Sequence, residues 1–235
     1  MTLAIGVSGI LLAEEQGPAA PEPVADAFWI RTFEAQKHLL NGSLDLLFIG
    51  DSLTASWLHA GKPVWELEFH SLRVANLGIS GDRTEHILYR VLNSPVRVSE
   101  PKGIVLLVGT NNLAKAPPES PGETVNGVRA IVAALRKDCP ESEIILVSIP
   151  PNGFEPETKL RKRVMEANRR LAMLAQEPGL QYLELHDELL DEAGQWKAGL
   201  TLDGTHFTMA GYDLFARRLR TLTREILAGD EKTEN

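Results

Sequence analysis

Five short apolar runs recur along this chain, and segments with the spacing of helices separate them. The runs are Leu44–Gly50 (LDLLFIG), Leu72–Gly78 (LRVANLG), Gly103–Gly109 (GIVLLVG), Glu143–Ile149 (EIILVSI) and Leu180–His186 (LQYLELH). Three of them are almost unbroken Leu, Ile, Val and Phe, the pattern of strands covered on both faces. Between them the apolar residues step by three and four. Trp29, Phe33 and Leu40 form one stripe, and Val125, Val128, Val132 and Leu135 a second. Leu160, Val164, Ala167, Leu171 and Leu174 form a third, and Phe215, Leu219, Leu222 and Ile226 a fourth that Thr208 is placed to cap. Strands alternating with helices imply right-handed crossovers. The expected fold is therefore α/β, a three-layer αβα sandwich around a five-stranded parallel sheet. No internal repeat and no second-domain linker interrupts it, so one domain is expected over 24–229, with a leader over 1–23 and a tail over 230–235.

A net charge of -8 argues against a nucleic-acid partner, which needs concentrated positive charge. The basic residues Arg161, Lys162, Arg163, Arg169 and Arg170 fall on the polar side of a helical pattern and read as a solvated face. A single cysteine, Cys139, excludes an intrachain disulfide and reads as a structural thiol. The N-terminal run Leu3–Ala13 is too short to span a bilayer and has the character of a signal-peptide core, with a polar, Pro-rich stretch after it. No Lys or Arg precedes it, and Leu11 sits where a small residue is preferred for cleavage after Ala13. The expectation is an extracytoplasmic enzyme, periplasmic or secreted, if that run is a signal peptide. The alternative is a cytoplasmic protein with a loose tail.

In a parallel sheet, ligands bind beyond the carboxyl ends of the strands. Here those ends read Gly50-Asp51-Ser52, Gly78-Ile79-Ser80-Gly81-Asp82, Gly109-Thr110-Asn111-Asn112 and Ile149-Pro150-Pro151-Asn152-Gly153. Ser52 is a candidate nucleophile or, equally, a helix N-cap. Of six histidines, His206 stands apart, in the turn-forming LDGTHFT just before the last helix. Asp203, three residues upstream, can reach its Nδ1 and leave Nε2 for the serine, although an Asp-initiated turn with a surface histidine has the same spacing. Candidate donors to an oxyanion are the N–H groups of Ser52 and Gly78 and the Asn111 amide. Gly78 could instead serve only a turn, and Asn111 only local backbone.

The four blocks FIGDSLT, NLGISGD, VGTNN and DGTH occur in the order found in the SGNH (GDSL-type) hydrolases, and the chain resembles that family from about Phe28 to its last helix. GDRTEHILYRVLN and GTNN are similar to the branch that holds the catalytic subunits of intracellular platelet-activating-factor acetylhydrolase and their bacterial relatives. The resemblance implies a flavodoxin-like sheet of order 2-1-3-4-5. It implies Ser52 as nucleophile, His206 as base, Asp203 as its orienter, and an oxyanion hole of the Ser52 and Gly78 N–H groups with the Asn111 side chain. Many members carry Asp where this chain has Asn112, which argues against the thioesterase/lysophospholipase branch. Related subunits can dimerise, which leaves a homodimer open.

Asp51 and Asp82 are read as structural, Asp51 accepting N–H bonds in its turn and Asp82 anchoring the loop after Gly78. No cluster has metal-ligand spacing, so no metal and no other cofactor is expected. The expected activity is hydrolysis of short-chain, foremost acetyl, esters of a small-molecule or carbohydrate alcohol, because the loops after the strands read as short and without a lid. A phospholipid-type acetyl ester is the second choice, without stable membrane insertion. The same sheet could also carry a flavin protein or a catalytically dead carbohydrate binder, but GDSLTASW is a poor phosphate loop.

Overall fold

A computed structural model describes residues 20–229. The apolar run Leu3–Ala13 and the tail 230–235 lie outside the described residues. The elements follow in the order α1 (Ala27–Lys37), β1 (Leu46–Gly50), α2 (Ser52–Ala55), α3 (Lys62–Phe69), β2 (Val74–Gly78), α4 (Thr84–Leu92), β3 (Gly103–Leu107), α5 (Thr110–Ala114), α6 (Pro121–Asp138), β4 (Glu143–Val147), α7 (Lys159–Leu174), β5 (Leu180–Leu183) and α8 (Met209–Gly229). All five strands are parallel, as the alternation of strands and helices predicts, in the order β2-β1-β3-β4-β5 that the family resemblance implies.

Strand alternation divides the core in two. Leu47, Ile49, Ile104, Leu106, Ile144 and Leu146 face one side, where α4, α6 and α7 pack. Leu46, Phe48, Val105, Leu107, Ile145 and Val147 face the other, under α3 and α8. Because both faces are covered, β1 and β3 are buried at every position, which explains their unbroken apolar sequence. The second face is rich in aromatic rings. Trp57 lies 4.5 Å from Tyr212 and 5.2 Å from Phe215 between ring centroids, and Phe48 lies 4.9 Å from Trp65. The Tyr212 hydroxyl donates to the Leu53 carbonyl at 2.8 Å, fastening the last helix to the turn that follows β1.

The carboxyl ends of β1 and β2 are drawn together by a buried polar knot. Arg90 donates through Nε to Asp82 Oδ2 at 2.7 Å and through its terminal nitrogens to the carbonyls of Leu77 at 2.7 Å and Gly50 at 3.2 Å. Trp29 Nε1 donates to the other Asp82 oxygen at 2.7 Å. Asp82 thus anchors its loop, as the sequence suggested. Beside the knot, Gly78 lets the backbone of α2 come against β2. A Cβ built on Gly78 would lie 2.1 Å from the Ala55 nitrogen and 2.7 Å from its Cα. Backbone atoms cannot step aside as a side chain can, so Gly78→Ala is expected to cost about 2–3 kcal/mol of stability. Urea denaturation checks this against Gly42→Ala, whose Cβ meets nothing within 4 Å; equal midpoints for the two variants would contradict the close approach.

Candidate active site

Ser52 is the first residue of α2, with only Asp51 between it and the end of β1. Asp51 caps the turn, its Oδ1 accepting the Leu53 N–H at 2.9 Å, while its carbonyl accepts the N–H groups of Thr54 and Ala55. This leaves the Ser52 N–H without a partner among the described residues, as the first turn of a helix generally does.

His206 arrives from the connection between β5 and α8. That connection, residues 184–208, is longer than the short loops expected from sequence and carries only a brief 3₁₀ turn and isolated bridges. Ser52 Oγ and His206 Nε2 are 2.9 Å apart, and His206 Nδ1 is 2.7 Å from Asp203 Oδ2. Asp203 Oδ1 also accepts the N–H groups of Thr205 at 2.8 Å and His206 at 2.7 Å. One oxygen therefore shapes the turn while the other meets the ring. Partial burial pushes the Asp203 carboxyl up, but the bonds from the His206 ring and from the two N–H groups outweigh it and bring the pKa down to about 2. Ser52, His206 and Asp203 are thus brought together as one hydrogen-bonded chain.

The expected oxyanion donors divide. Asn111, at the start of α5, is half-buried and directs Nδ2 to the Asp82 carbonyl at 2.9 Å, with Asp51 Oδ2 at 3.4 Å. It stands between the two loops that follow β1 and β2. Gly78 is a correction. Its N–H is buried and already donates to Asn76 Oδ1 at 2.9 Å, and its carbonyl accepts from Gln36 Nε2, so it has no donor to offer a ligand. Three residues on, Gly81 has the properties sought. It is exposed, it adopts φ +84°, and its N–H has no partner among the described residues. The second glycine of GISGD, placed just before the anchoring Asp82, was the available sequence signal.

The remaining polar residues are structural in their contacts. Asn112 is fully buried; its Oδ1 accepts the Thr84 N–H and its Nδ2 donates to Glu119 at 2.9 Å and Glu85 at 3.1 Å. His186 is buried against the Ile149 carbonyl, and burial lowers its pKa, so it is held neutral. The basic run is not uniformly a solvated face: Arg161 is only 2% exposed. Among the described residues no group of three His, Cys, Asp or Glu side chains is placed to share a metal ion, and no helix is long and apolar enough to cross a membrane.

Residues 48–214 match the profile of the GDSL-like Lipase/Acylhydrolase family, which spans Ser52, Asn111, Asp203 and His206. The chain belongs to this family. The GDSL acylhydrolases are carboxylic ester hydrolases, and this chain is one of them. It is similar to the human platelet-activating factor acetylhydrolase IB subunit alpha2, at 31% identity over 78% of this chain and 77% of that protein. It is similar to the human alpha1 subunit at 28% identity over 94% of this chain and 95% of the other. Solved structures share the fold. A GDSL-like lipase from Bacteroides thetaiotaomicron superposes with a TM-score of 0.70 at 16% identity, covering 83% of this chain and 97% of that one. An acetylxylan esterase from Geobacillus stearothermophilus does so with a TM-score of 0.62 at 21% identity, covering 80% and 96%.

The GDSL fold of this chain buries Asp51 beside Ser52 and within the influence of His206. Burial is the largest influence and pushes its carboxyl up to about 7; the Leu53 N–H and His206 oppose that rise, and Asp82 adds to it. A carboxyl that holds its proton more tightly folded than unfolded loses stability as pH rises from the unfolded pKa, about 3.8, to the folded one. Asp51→Asn removes that loss and keeps an oxygen for the Leu53 cap. The stability of the variant relative to wild type is expected to rise by on the order of 2 kcal/mol between pH 5 and pH 8. Urea midpoints at the two pH values measure it, and a difference independent of pH would contradict the assignment.

Proposed function

We propose that this protein is a serine esterase that cleaves short-chain, foremost acetyl, esters through an acyl-enzyme. The observation that carries the reading is the 2.9 Å contact from Ser52 Oγ to His206 Nε2, continued at 2.7 Å from Nδ1 to Asp203. In this reading His206 Nε2 takes the hydroxyl proton as Ser52 Oγ bonds to the ester carbonyl carbon. Asp203 keeps the ring in the tautomer with Nδ1 protonated and stabilises the imidazolium. Its lowered pKa keeps it ionised for that role. The carbonyl oxygen gains negative charge and faces the free N–H groups of Ser52 and Gly81, and Asn111 Nδ2 turns the hydrogen of its long 3.4 Å contact with Asp51 toward it. Collapse breaks the bond to the alcohol, which leaves with the proton from His206. Water then attacks the acyl-Ser52, giving one proton to His206, and Ser52 recovers its own as the carboxylic acid departs.

The acetyl preference draws on the acetylhydrolase relatives, in which the named activity is removal of an acetyl group. Those relatives also favour a phospholipid-type acetyl ester as the second reading of the alcohol half, beside a small-molecule or carbohydrate acetyl ester. Ser52→Ala is expected to lower kcat on p-nitrophenyl acetate by at least 10³-fold without loss of folding. Wild-type turnover in that variant would end the proposal. Among C2, C4 and C8 p-nitrophenyl esters the C2 ester is expected to have the highest kcat/KM; a maximum at C8 would overturn the acetyl preference and leave the serine chemistry standing.

A further inference from the structure

Arg161 lies in the first turn of α7, is 2% exposed, and has no ion-pair partner among the described residues. A guanidinium taken out of water without a carboxylate is costly, and burial lowers its pKa accordingly. It is held by carbonyls from two different loops. One terminal nitrogen donates to Gly153 at 2.7 Å and the other to Gly194 at 3.0 Å, while Nε is buried without a partner. Trp196 Nε1 donates to the same Gly153 carbonyl at 3.2 Å.

From Gly153 the bonding continues into the turn that carries Asp203 and His206. The Gly153 N–H donates to the Gly204 carbonyl at 2.8 Å. The Gly204 N–H donates to Thr201 Oγ1 at 3.0 Å, and Thr201 Oγ1 donates to the His206 carbonyl at 2.8 Å. The two turns touch backbone to backbone, since a Cβ on Gly204 would lie 3.0 Å from the Gly153 carbonyl carbon. Both glycines have φ +78°, a conformation that few other residues adopt. The antiparallel bridge from Thr201 to Phe207 closes the turn of His206 on itself, and the bonds above join that turn to the one at Gly153.

We propose that Arg161 is a positioning residue for the reaction: it clamps the Gly153 and Gly194 turns and, through Gly204 and Thr201, sets His206 within hydrogen-bond reach of Ser52. The inference rests on the serine-esterase reading above. The planar fork of arginine suits two carbonyls approaching from different directions, whereas a lysine ammonium presents one point charge. A displacement of the base by about 1 Å can cost on the order of 10²-fold in rate.

The experiment compares wild type with Arg161→Lys, Arg161→Met, Thr201→Val and Ser52→Ala. It reads kcat and KM for p-nitrophenyl acetate per active site titrated with a fluorophosphonate, thermal midpoint, and the low-field proton resonance of His206 Nδ1–H, assigned by its loss in Asp203→Asn. In Arg161→Met the expected result is a 10- to 100-fold loss in kcat per titrated site, KM within about threefold, and a shifted or broadened resonance. Arg161→Lys is expected to recover part of the loss. A folded Arg161→Met with wild-type kcat and resonance overturns the proposal, even if its midpoint falls, because the arginine then serves stability alone. Should Arg161→Met fail to fold, Thr201→Val decides: it breaks the last link and leaves α7 untouched, and wild-type kcat and resonance there overturn the proposal. Activity surviving in Ser52→Ala would instead remove the serine reading itself.

Discussion

The buried pair of Arg90 and Asp82 is the constraint on which the site depends. At the carboxyl end of a parallel sheet the strand ladder runs out, leaving the Leu77 carbonyl and, beside its 3.1 Å bond from the Ile79 N–H, the Gly50 carbonyl to be reached from the interior. Arg90 satisfies both and neutralises Asp82, while Trp29 supplies the carboxylate's remaining donor. Removing one partner of such a pair strands a buried charge, at about 3–5 kcal/mol. The knot fixes the loop from Ile79 to Arg83, holding Gly81 outward at its tip, and presents the Asp82 carbonyl to Asn111. The ends of β1, β2 and β3 are thereby held in one polar cluster, against which the turn with His206 closes.

Two aspartates near Ser52 experience opposite environments, and the contrast separates their roles. Asp203 lies at the surface, takes N–H bonds at one oxygen and the imidazole at the other, and stays ionised. Asp51 is enclosed beside Asp82, caps its own turn, and holds its proton to about pH 7. In the proposed reaction a negative charge at Asp51 would stand near the developing oxyanion at the Ser52 turn. Burial, by favouring the neutral acid, limits that repulsion.

The fold was legible because covering both faces of a parallel sheet leaves continuous apolar runs, and each of the five runs contains a strand. The meeting of Ser52, Asp203 and His206 in one hydrogen-bonded chain was legible because residue type, turn spacing and position at a strand end coincide. Which glycine after β2 keeps a free N–H was not. Gly78 and Gly81 both follow β2, and what separates them is the Asn76 side chain turning back to occupy the Gly78 N–H, a contact that no spacing rule contains. Arg161 was misread for a related reason. Its helix has a polar face by sequence, but the turns at Gly153 and Gly194 fold over that face, and a helical pattern carries no record of what a distant loop covers.

The central claim, that Ser52 is the nucleophile activated by His206, is tested most directly by mapping the residue modified by a fluorophosphonate. The account predicts one adduct per chain, on the peptide carrying Ser52, forming at least 10²-fold more slowly when His206 is replaced by Gln. An adduct on any other residue, or an unchanged labelling rate in His206→Gln, would contradict it.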